Sequence, residues 1–425
     1  MRKLESHVAA QDGTWSPEDF TNTLPNVLKK GRFTYAAVLG LAMLAAVSAQ
    51  AGNVRVLHAF TGPPDGATPS GVLILDAAGN FYGTTSGGGV YNYGTVFEID
   101  NKGEETVLYS FRGKRNGSAP QGIVQDADGN FYGTTENGGT YRFGTVFKLT
   151  PTGKFTVLHS FSGSPDDGEF PEAPPILDVA GNLYGTTTDG GSGTCYNGCG
   201  IVYELNGDGT YSVIHNFVGY PTDGQSPNTP LLEDAQGNLY GTTFIGGNSA
   251  CSNDTPGCGT VFMLTTAGTE TILHSFIGSP KDGDEPSGGL SRDEKGNLFG
   301  TTVNGGRFGY GNVFKLNPEG KEITLTSFGS DGSDAEYPSS SVVRDSAGNL
   351  YGTTQYGGQA GCSGAGCGTV FELSRAGLQT VLSAFNVSDG AVPTAGLILG
   401  PSGKLYGVTP SGGASGFGVV FELAP

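Results

Sequence analysis

One short string recurs seven times along this 425-residue chain and constrains its fold more than any other feature. The string reads Asn-Leu/Phe-Tyr-Gly-Thr-Thr, with mild variants in two copies. Its glycine is found at Gly83, Gly133, Gly185, Gly241, Gly300, Gly352 and Gly407, so that successive copies are 50, 52, 56, 59, 52 and 55 residues apart. A period of this length is typical of a propeller or another repeat architecture rather than of several unrelated domains.

Each repeat contains four short segments with the composition of β-strands. In the first repeat these segments are 71–75, 80–85, 94–99 and 106–111, which we call strands a, b, c and d. Val, Ile, Leu, Thr, Phe and Tyr dominate the segments, whereas Gly, Asn, Asp and Pro dominate the joins between them. Four strands in about 50 residues, repeated seven times, predict an all-β, seven-bladed β-propeller of four-stranded blades. A stacked β-solenoid, which usually has shorter repeats, is the alternative.

The two ends of the repeat region complement each other. Residues 54–60 read as a strand d alone, whereas 396–399, 404–409 and 418–423 read as strands a, b and c without a strand d. The N-terminal strand is therefore predicted to complete the last blade and close the ring, which removes the open sheet edge. On this interpretation, residues 52–425 form a single domain.

Residues 1–51 are predicted to be a signal peptide. A basic stretch at 29–32 precedes an apolar run at 36–47 and the small-residue sequence Ala-Gln-Ala at 49–51, which is the order of a secretory signal. The leading region is long for a signal, or its start is misassigned. An uncleaved membrane anchor is the alternative, but the apolar run is shorter than the ~20 residues of a spanning helix. We expect a secreted, periplasmic or cell-surface protein.

The charge of the chain restricts its partners. With 22 Lys and Arg against 40 Asp and Glu, the formal net charge is −18. Binding to nucleic acid requires clustered basic side chains, so this balance argues against a nucleic-acid partner and against an anionic membrane surface. We expect a monomer whose partner is a glycan or an envelope protein.

Six cysteines form three close pairs, all in the loops between strands b and c. The pairs are Cys195 and Cys199, Cys251 and Cys258, and Cys362 and Cys367. The second cysteine of each pair directly precedes strand c, where the other four repeats have an aromatic residue. In an exported chain this pattern predicts three local disulfides. A zinc site is the alternative, but no histidine accompanies the cysteines.

The loops between strand d and the next strand a repeat an Asp-Gly pair. The acids are Asp65, Asp167, Asp223, Asp282, Asp331 and Asp389. They have two interpretations: turn residues that bind nearby backbone amides, or a ring of carboxylates that binds Ca²⁺ or a polar ligand. Calcium prefers six to eight oxygens, so it would need help from neighbouring groups. These acids are the candidate ligand-binding residues, and calcium is the one cofactor considered.

Four histidines, His58, His159, His215 and His274, share one position in strand d. Equivalent positions in different blades point in different directions, so the sequence predicts no histidine cluster. Common enzyme signatures are missing: there is no Gly-x-Ser-x-Gly elbow and no phosphate-binding loop.

The repeated unit GNLYGTT-x-GG, then GTVFKL, then TVLHSF resembles the GloVer tandem repeat of exported bacterial "choice-of-anchor" proteins over residues 53–424. The resemblance implies an exported bacterial repeat protein without an established biochemical activity. We therefore expect a binding or interaction module with no catalytic residues. One alternative is an enzyme acting on a carbohydrate or lactone at the channel mouth, which requires one or two repeats with inward-facing acids or histidines. Another is a structural component of the envelope.

Overall fold

The protein is described here from a computed structural model, which defines residues 54–248, 251, 256–329, 335–358 and 361–425. These residues form seven sheets of four or five strands and two additional two-stranded ladders. The sheets are the blades of a seven-bladed propeller, as predicted. Two 3-10 helices, Lys114–Asn116 and Cys362–Gly364, lie in loops. None of the helices in the described residues has the length and apolar character needed to cross a membrane.

The strands follow the predicted order in every blade. Their bounds are β1 (Arg55–Ala59) in blade 7; β2 (Gly66–Leu75), β3 (Phe81–Gly88), β4 (Thr95–Ile99) and β5 (Glu105–Ser110) in blade 1; β6 (Ser118–Gln125), β7 (Phe131–Asn137), β8 (Thr145–Leu149) and β9 (Phe155–Ser160) in blade 2; β10 (Gly168–Glu169), β11 (Ile176–Leu177), β12 (Leu183–Thr187), β13 (Asp189–Gly190), β14 (Ile201–Leu205) and β15 (Tyr211–Asn216) in blade 3; β16 (Gly224–Gln225), β17 (Leu232–Glu233), β18 (Leu239–Thr243), β19 (Ile245–Gly246), β20 (Thr260–Leu264) and β21 (Glu270–Ser275) in blade 4; β22 (Gly283–Pro286), β23 (Ser291–Arg292), β24 (Leu298–Gly305), β25 (Asn312–Leu316) and β26 (Glu322–Ser327) in blade 5; β27 (Val343–Arg344), β28 (Leu350–Thr354), β29 (Thr369–Leu373) and β30 (Gln379–Ala384) in blade 6; and β31 (Ile398–Leu399), β32 (Leu405–Thr409) and β33 (Val419–Leu423) in blade 7.

Blade 7 is built from both ends of the described chain. Its sheet has the order β1-β33-β32-β31, and β1 runs antiparallel to β33. In this pairing Arg55 lies opposite Glu422 and Ala59 lies opposite Val419. The ring is therefore closed by the N-terminal strand, which confirms the prediction from the sequence. The predicted signal peptide, residues 1–51, lies outside the described residues.

The glycine of the repeated string is explained by packing within each blade. Gly83 in β3 lies opposite Phe97 in β4, whose ring is fully buried. A Cβ atom on Gly83 would lie 2.6 Å from Cζ of Phe97, closer than real atoms approach. The hydrophobic core forms seven clusters of buried residues, most of which join neighbouring blades, such as the cluster that contains Phe111, Phe131 and Phe147.

The connections lie on two opposite edges of the ring. The turn edge carries the a–b and c–d turns, which touch each other: the amide of Asn101 in a c–d turn donates to Oδ1 of Asn80 in an a–b turn. The loop edge carries the b–c and d–a loops, which are also linked: the amide of Gly139 donates to the carbonyl of Lys114 at 2.7 Å. The two names are used in this sense below.

The six cysteines form the three predicted local disulfides, Cys195–Cys199, Cys251–Cys258 and Cys362–Cys367, with Cα–Cα distances of 5.2, 5.1 and 5.2 Å. All three lie on the loop edge. Disulfides persist in oxidising compartments, so they fit a protein located outside the cytoplasm.

Candidate functional site

A strained backbone position recurs on the loop edge of every blade, directly before a proline. The seven residues have φ between 54° and 59°, the left-handed region that favours glycine, yet none is a glycine: they are Thr68, Ala119, Phe170, Ser226, Glu285, Tyr337 and Val392. Each costs about 1–3 kcal/mol of backbone strain. Such strain persists only where the surrounding structure fixes the conformation.

What fixes this conformation is a hydrogen bond between blades. The amide of Ala119 donates to the carbonyl of Tyr93 at 3.1 Å, and the amide of Val392 donates to the carbonyl of Cys367 at 2.8 Å. The acceptor is always the residue just before the glycine that precedes strand c, which is the position held by an aromatic residue or a cysteine. Each blade is thus tied to the next at its loop edge.

The residue that follows each of these prolines is polar in all seven blades. The seven residues line one cavity of about 180 Å³, and they are Ser70, Gln121, Glu172, Asn228, Ser287, Ser339 and Thr394. Because one residue comes from each blade, the cavity lies on the axis of the propeller. We call this set the channel ring, and it is the candidate ligand site.

The two halves of the channel ring differ in their hydrogen bonds. Ser70 Oγ donates to the carbonyl of Pro120 at 2.7 Å, and Gln121 Nε2 donates to a carboxylate oxygen of Glu136 at 2.8 Å. By contrast, Asn228 Oδ1, Ser287 Oγ and Ser339 Oγ are buried and have no hydrogen-bond partner in the described structure. The half of the ring formed by blades 4 to 6 therefore has buried polar atoms whose hydrogen bonds are unsatisfied in the described structure.

Glu172 is the one acid in the channel ring. Desolvation by the surrounding channel wall, followed by the nearby charges of Glu136 and Asp189, raises the pKa of Glu172 to about 7. The side chain is nevertheless accessible from the channel. Near neutral pH its carboxyl group can therefore both donate and accept a proton, which is the property of a general acid or base.

Of the six acids that the sequence singled out, the five in the described residues close their d–a loops. Asp65 accepts hydrogen bonds from the amides of Thr61 and Gly66, and Asp389 accepts one from the amide of Asn386 at 2.8 Å. This is the turn role considered above. Among the described residues, no cluster of ligating groups contains two of these acids. Asp331 lies outside the described residues.

Each of the four histidines reaches the acid of the next d–a loop. The distance from Nε2 to Oδ2 is 2.9 Å for His159–Asp167 and 3.6 Å for His215–Asp223. The same two distances recur for His274–Asp282, at 2.9 Å, and for His58–Asp65, at 3.6 Å. The histidines do not meet one another, but the sequence reasoning missed these pairs. The recurrence of an aspartate seven or eight residues after the histidine was the signal that could have revealed them.

Each His–Asp pair lies where two neighbouring blades meet, and we call each of these places a junction. At three of the junctions, the third group is a glutamate that begins strand d of the following blade. Burial, followed by the charge of the adjacent aspartate, raises the pKa of Glu105 and of Glu270 to about 7 and that of Glu322 to about 6. At the fourth junction the equivalent residue is Tyr211, whose hydroxyl donates to Asp167 Oδ1 at 2.5 Å. Despite burial, the nearby imidazole of His58 and hydrogen bonds from the amides of Thr61 and Gly66 lower the pKa of Asp65.

The fold and its channel define a β-propeller repeat protein. The chain belongs to the Gloeobacter/Verrucomicrobia repeat family, which matches residues 40–197, 167–362 and 249–425. This confirms the resemblance noted from the repeated unit. No curated protein sequence matches the chain.

Solved structures share the fold at low sequence identity. Virginiamycin B lyase from Staphylococcus aureus is 11% identical with a TM-score of 0.58, over 88% of this chain and 99% of the lyase. PorZ, a bacterial surface component of the type-IX secretion system of Porphyromonas gingivalis, is 15% identical with a TM-score of 0.51. That match covers 86% of this chain but only 47% of PorZ. At these identities the likeness supports the fold alone.

Proposed function

We propose that this protein is an exported binding module that holds an uncharged polar group, such as the terminal sugar of a glycan, in the channel ring. The observation that carries the proposal is the set of unpartnered atoms in blades 4 to 6: Asn228 Oδ1, Ser287 Oγ and Ser339 Oγ. A buried polar atom left without a partner costs about 1–3 kcal/mol, which a ligand that supplies the hydrogen bond recovers.

The chemistry of these three atoms favours a hydroxyl-bearing ligand. The Asn228 carbonyl oxygen only accepts, whereas the two serine hydroxyls both donate and accept. A sugar hydroxyl matches both kinds of group. Only one member of the ring is ionisable, so a strongly charged ligand would lack a counter-ion there. The volume of about 180 Å³ is below the range of about 300–1,000 Å³ for drug-sized ligands, so we expect the end of a larger molecule to enter.

The direct test is a glycan array probed with the purified protein and with two variants. We expect reproducible binding to a subset of glycans and at least a tenfold loss in Ser287→Ala/Ser339→Ala. The matched control is Ser86→Ala, which removes a hydroxyl that bonds the Thr68 carbonyl outside the channel ring, and it should bind as the parent does. No bound glycan, or equal loss in the control, would refute the proposal.

Glu172 supports a second candidate, an enzyme that acts on a carbohydrate or lactone. Blade 3 breaks the pattern of neutral ring residues with an acid whose pKa of about 7 suits proton transfer. If the parent protein turns over a glycan or lactone, Glu172→Gln should abolish turnover while leaving binding within a factor of about three. If the parent protein binds a glycan or lactone without turning it over, the enzyme candidate is rejected and the binding module is retained.

Export is the remaining part of the proposal, and it rests on the leader-like sequence and on the three disulfides. We expect the exported protein to begin at Gly52. N-terminal sequencing of the exported form checks this, and a mature terminus well upstream of Gly52 would contradict the signal-peptide interpretation.

A further inference from the structure

We infer that two junctions between blades are binding sites for a divalent transition-metal ion of the zinc type. The first site comprises His58, Asp65 and Glu105, between blades 7 and 1. The second comprises His215, Asp223 and Glu270, between blades 3 and 4. In each set one ligand atom from each residue lies within 4.8 Å of the others. The inference is independent of the proposed glycan binding.

The distances fit a metal ion better than a hydrogen bond. His215 Nε2 lies 3.6 Å from Asp223 Oδ2 and 3.7 Å from Glu270 Oε2. Ligand atoms bound at about 2.1 Å around a tetrahedral zinc ion are about 3.4 Å apart. A hydrogen bond between the same groups would shorten the separation to about 2.9 Å. The His58–Asp65 separation at the other site is also 3.6 Å.

The histidine and glutamate atoms at the two sites lack other partners, whereas the aspartates also accept backbone hydrogen bonds. His58 Nε2, His215 Nε2, Glu105 Oε1 and Glu270 Oε1 are all buried without a hydrogen-bond partner in the described structure. Burying such groups unpaired is costly, and a cation would satisfy the imidazole lone pair and the carboxylate oxygens together. Two carboxylates at each site also supply the charge that balances a dication.

The two other histidine junctions serve as internal controls because they are closed. His159 Nε2 lies 2.9 Å from Asp167 Oδ2 and is stacked on Tyr211, with ring centroids 3.6 Å apart. His274 Nε2 lies 2.9 Å from Asp282 Oδ2. The glutamate at that junction, Glu322, accepts a hydrogen bond from Thr324.

At the two proposed metal sites, Glu105 and Glu270 have no hydrogen bond like the one that Glu322 accepts from Thr324. The residues two positions after them explain this difference. Val107 and Ile272 occupy the position of Thr324, as their cross-strand pairing with Phe97 and Phe262 shows. Neither has a hydroxyl. Glu105 and Glu270 are therefore left without the local donor that engages Glu322.

The donor set selects the class of ion. Imidazole together with carboxylate suits zinc and its first-row neighbours. Calcium prefers six to eight oxygens, whereas each site offers one nitrogen and two carboxylates. We therefore expect zinc to bind far more tightly than calcium.

The test is calorimetric titration of untagged protein, freed of metal by chelation, with ZnCl₂ and separately with CaCl₂. We expect two equivalents of zinc per chain, one equivalent in His58→Gln and in His215→Gln, and none in the double variant. His159→Gln and His274→Gln should retain two. Circular dichroism verifies folding, and Glu105→Gln and Glu270→Gln provide a second set of variants if a histidine variant unfolds.

Three outcomes would overturn the inference. No zinc binding would remove it altogether. Two equivalents retained in the double variant would place the ions elsewhere. Calcium binding of equal strength at the same sites would overturn the class of ion. The visible absorption of bound Co²⁺, lost in the double variant, would support imidazole coordination directly.

Discussion

The turn edge and the loop edge of the ring are held together by different kinds of contact. On the turn edge each turn stabilises itself: Asp126 accepts hydrogen bonds from the amides of Asp128 and Asn130 and from the Tyr132 hydroxyl, all within six residues. Several amides bonded to one carboxylate, here and at equivalent turns, lower the pKa of the acid despite its partial burial.

On the loop edge the partners belong to different blades. The glycine before strand c lies against the proline of the next blade, so that a Cβ on Gly144 would lie 2.6 Å from Pro171 Cδ. The residue before that proline donates its amide back across the junction, as Phe170 does to the carbonyl of Phe143. The turn edge therefore supplies local stability, whereas the loop edge couples the blades into one ring.

Substitution of one glycine on each edge of the same blade distinguishes the two kinds of contact. Gly144, on the loop edge, has φ of 98°, and Gly153, in the c–d turn, has φ of 80°. An added Cβ at Gly153 would meet nothing within 4 Å. We expect Gly144→Ala to lower the free energy of unfolding by about 3 kcal/mol or more, and Gly153→Ala by about 1 kcal/mol.

Urea unfolding followed by circular dichroism measures both changes. Both variants place alanine at positive φ, so the difference between them measures the close contacts at Gly144, which are with the carbonyls of Thr135 and Glu136 in its own blade and with Pro171 of the next blade. Equal effects would show that the strain alone matters and that the close contacts at Gly144, including the one with the next blade, do not.

Removing a disulfide tests whether a b–c loop that lacks the aromatic residue before strand c needs the covalent bond for stability. Cys195→Ala/Cys199→Ala should lower the free energy of unfolding by about 2 kcal/mol, because a small closed loop loses that much chain entropy in the unfolded state. Reducing agent should destabilise the parent by a larger amount, since three loops are affected, and it should leave a variant without cysteines unchanged. No response to reductant in the parent would contradict the disulfides.

The turn edge and the closure of the ring could be predicted from the sequence, because short local patterns indicate both. Asp-x-x-Gly identifies the a–b turn, and a lone strand d identifies the closing strand. The loop edge was not predictable in the same way. Gly94 and Pro120 are 26 residues apart and lie in different repeats, so their contact needs the sheet order and twist.

The candidate sites show the same division between local and distant signals. The His–Asp pairs are only seven or eight residues apart in sequence, but Glu105 is 47 residues from His58 and reaches it only through the packing of adjacent blades. The channel ring is visible in sequence as a polar residue after a proline. That these residues meet on the axis follows only from the arrangement of seven sheets.

Glu322 couples the two edges and gives a pH-dependent prediction. It begins strand d just after a c–d turn, yet burial and then the charge of Asp282 on the loop edge raise its pKa from 4.5 to about 6. The folded state thus holds this proton more tightly than the unfolded state does. The contribution of Glu322 to stability is full below pH 4.5, falls as the pH rises to about 6 and stays low above that.

Glu322→Gln should therefore be more stable than the parent at pH 8, by about 1 kcal/mol after allowance for partial exposure, and equally stable at pH 4. Urea unfolding from pH 4 to pH 8 measures the difference. The matched control is Glu319→Gln, in the exposed c–d turn of the same blade, and its stability is measured at the same pH values. A Glu322→Gln difference that does not vary with pH would contradict the coupling.

The smallest expected effect concerns the strained residues before the prolines, and here the two edges should respond with opposite sign. Ala119 has φ of 54° on the loop edge, and Ala127 lies in the exposed a–b turn of the same blade without a positive φ. Ala119→Gly relieves about 1–2 kcal/mol of left-handed strain but loses about 0.5–1 kcal/mol to the flexibility of glycine, so we expect a gain of about 0.5 kcal/mol. Ala127→Gly should cost about 0.5–1 kcal/mol, because only the entropy term applies.

Differential scanning calorimetry of the two variants checks the signs, and a loss of stability in Ala119→Gly equal to that in Ala127→Gly would show that no strain is stored before the proline. A gain has a wider consequence. Glycine would then be the more stable choice at a position where all seven blades carry a side chain. Those side chains range from Ala to Phe and Glu on one constant backbone, two positions before the residues of the channel ring. Stability alone would not retain them, which favours a role in distinguishing what enters the channel.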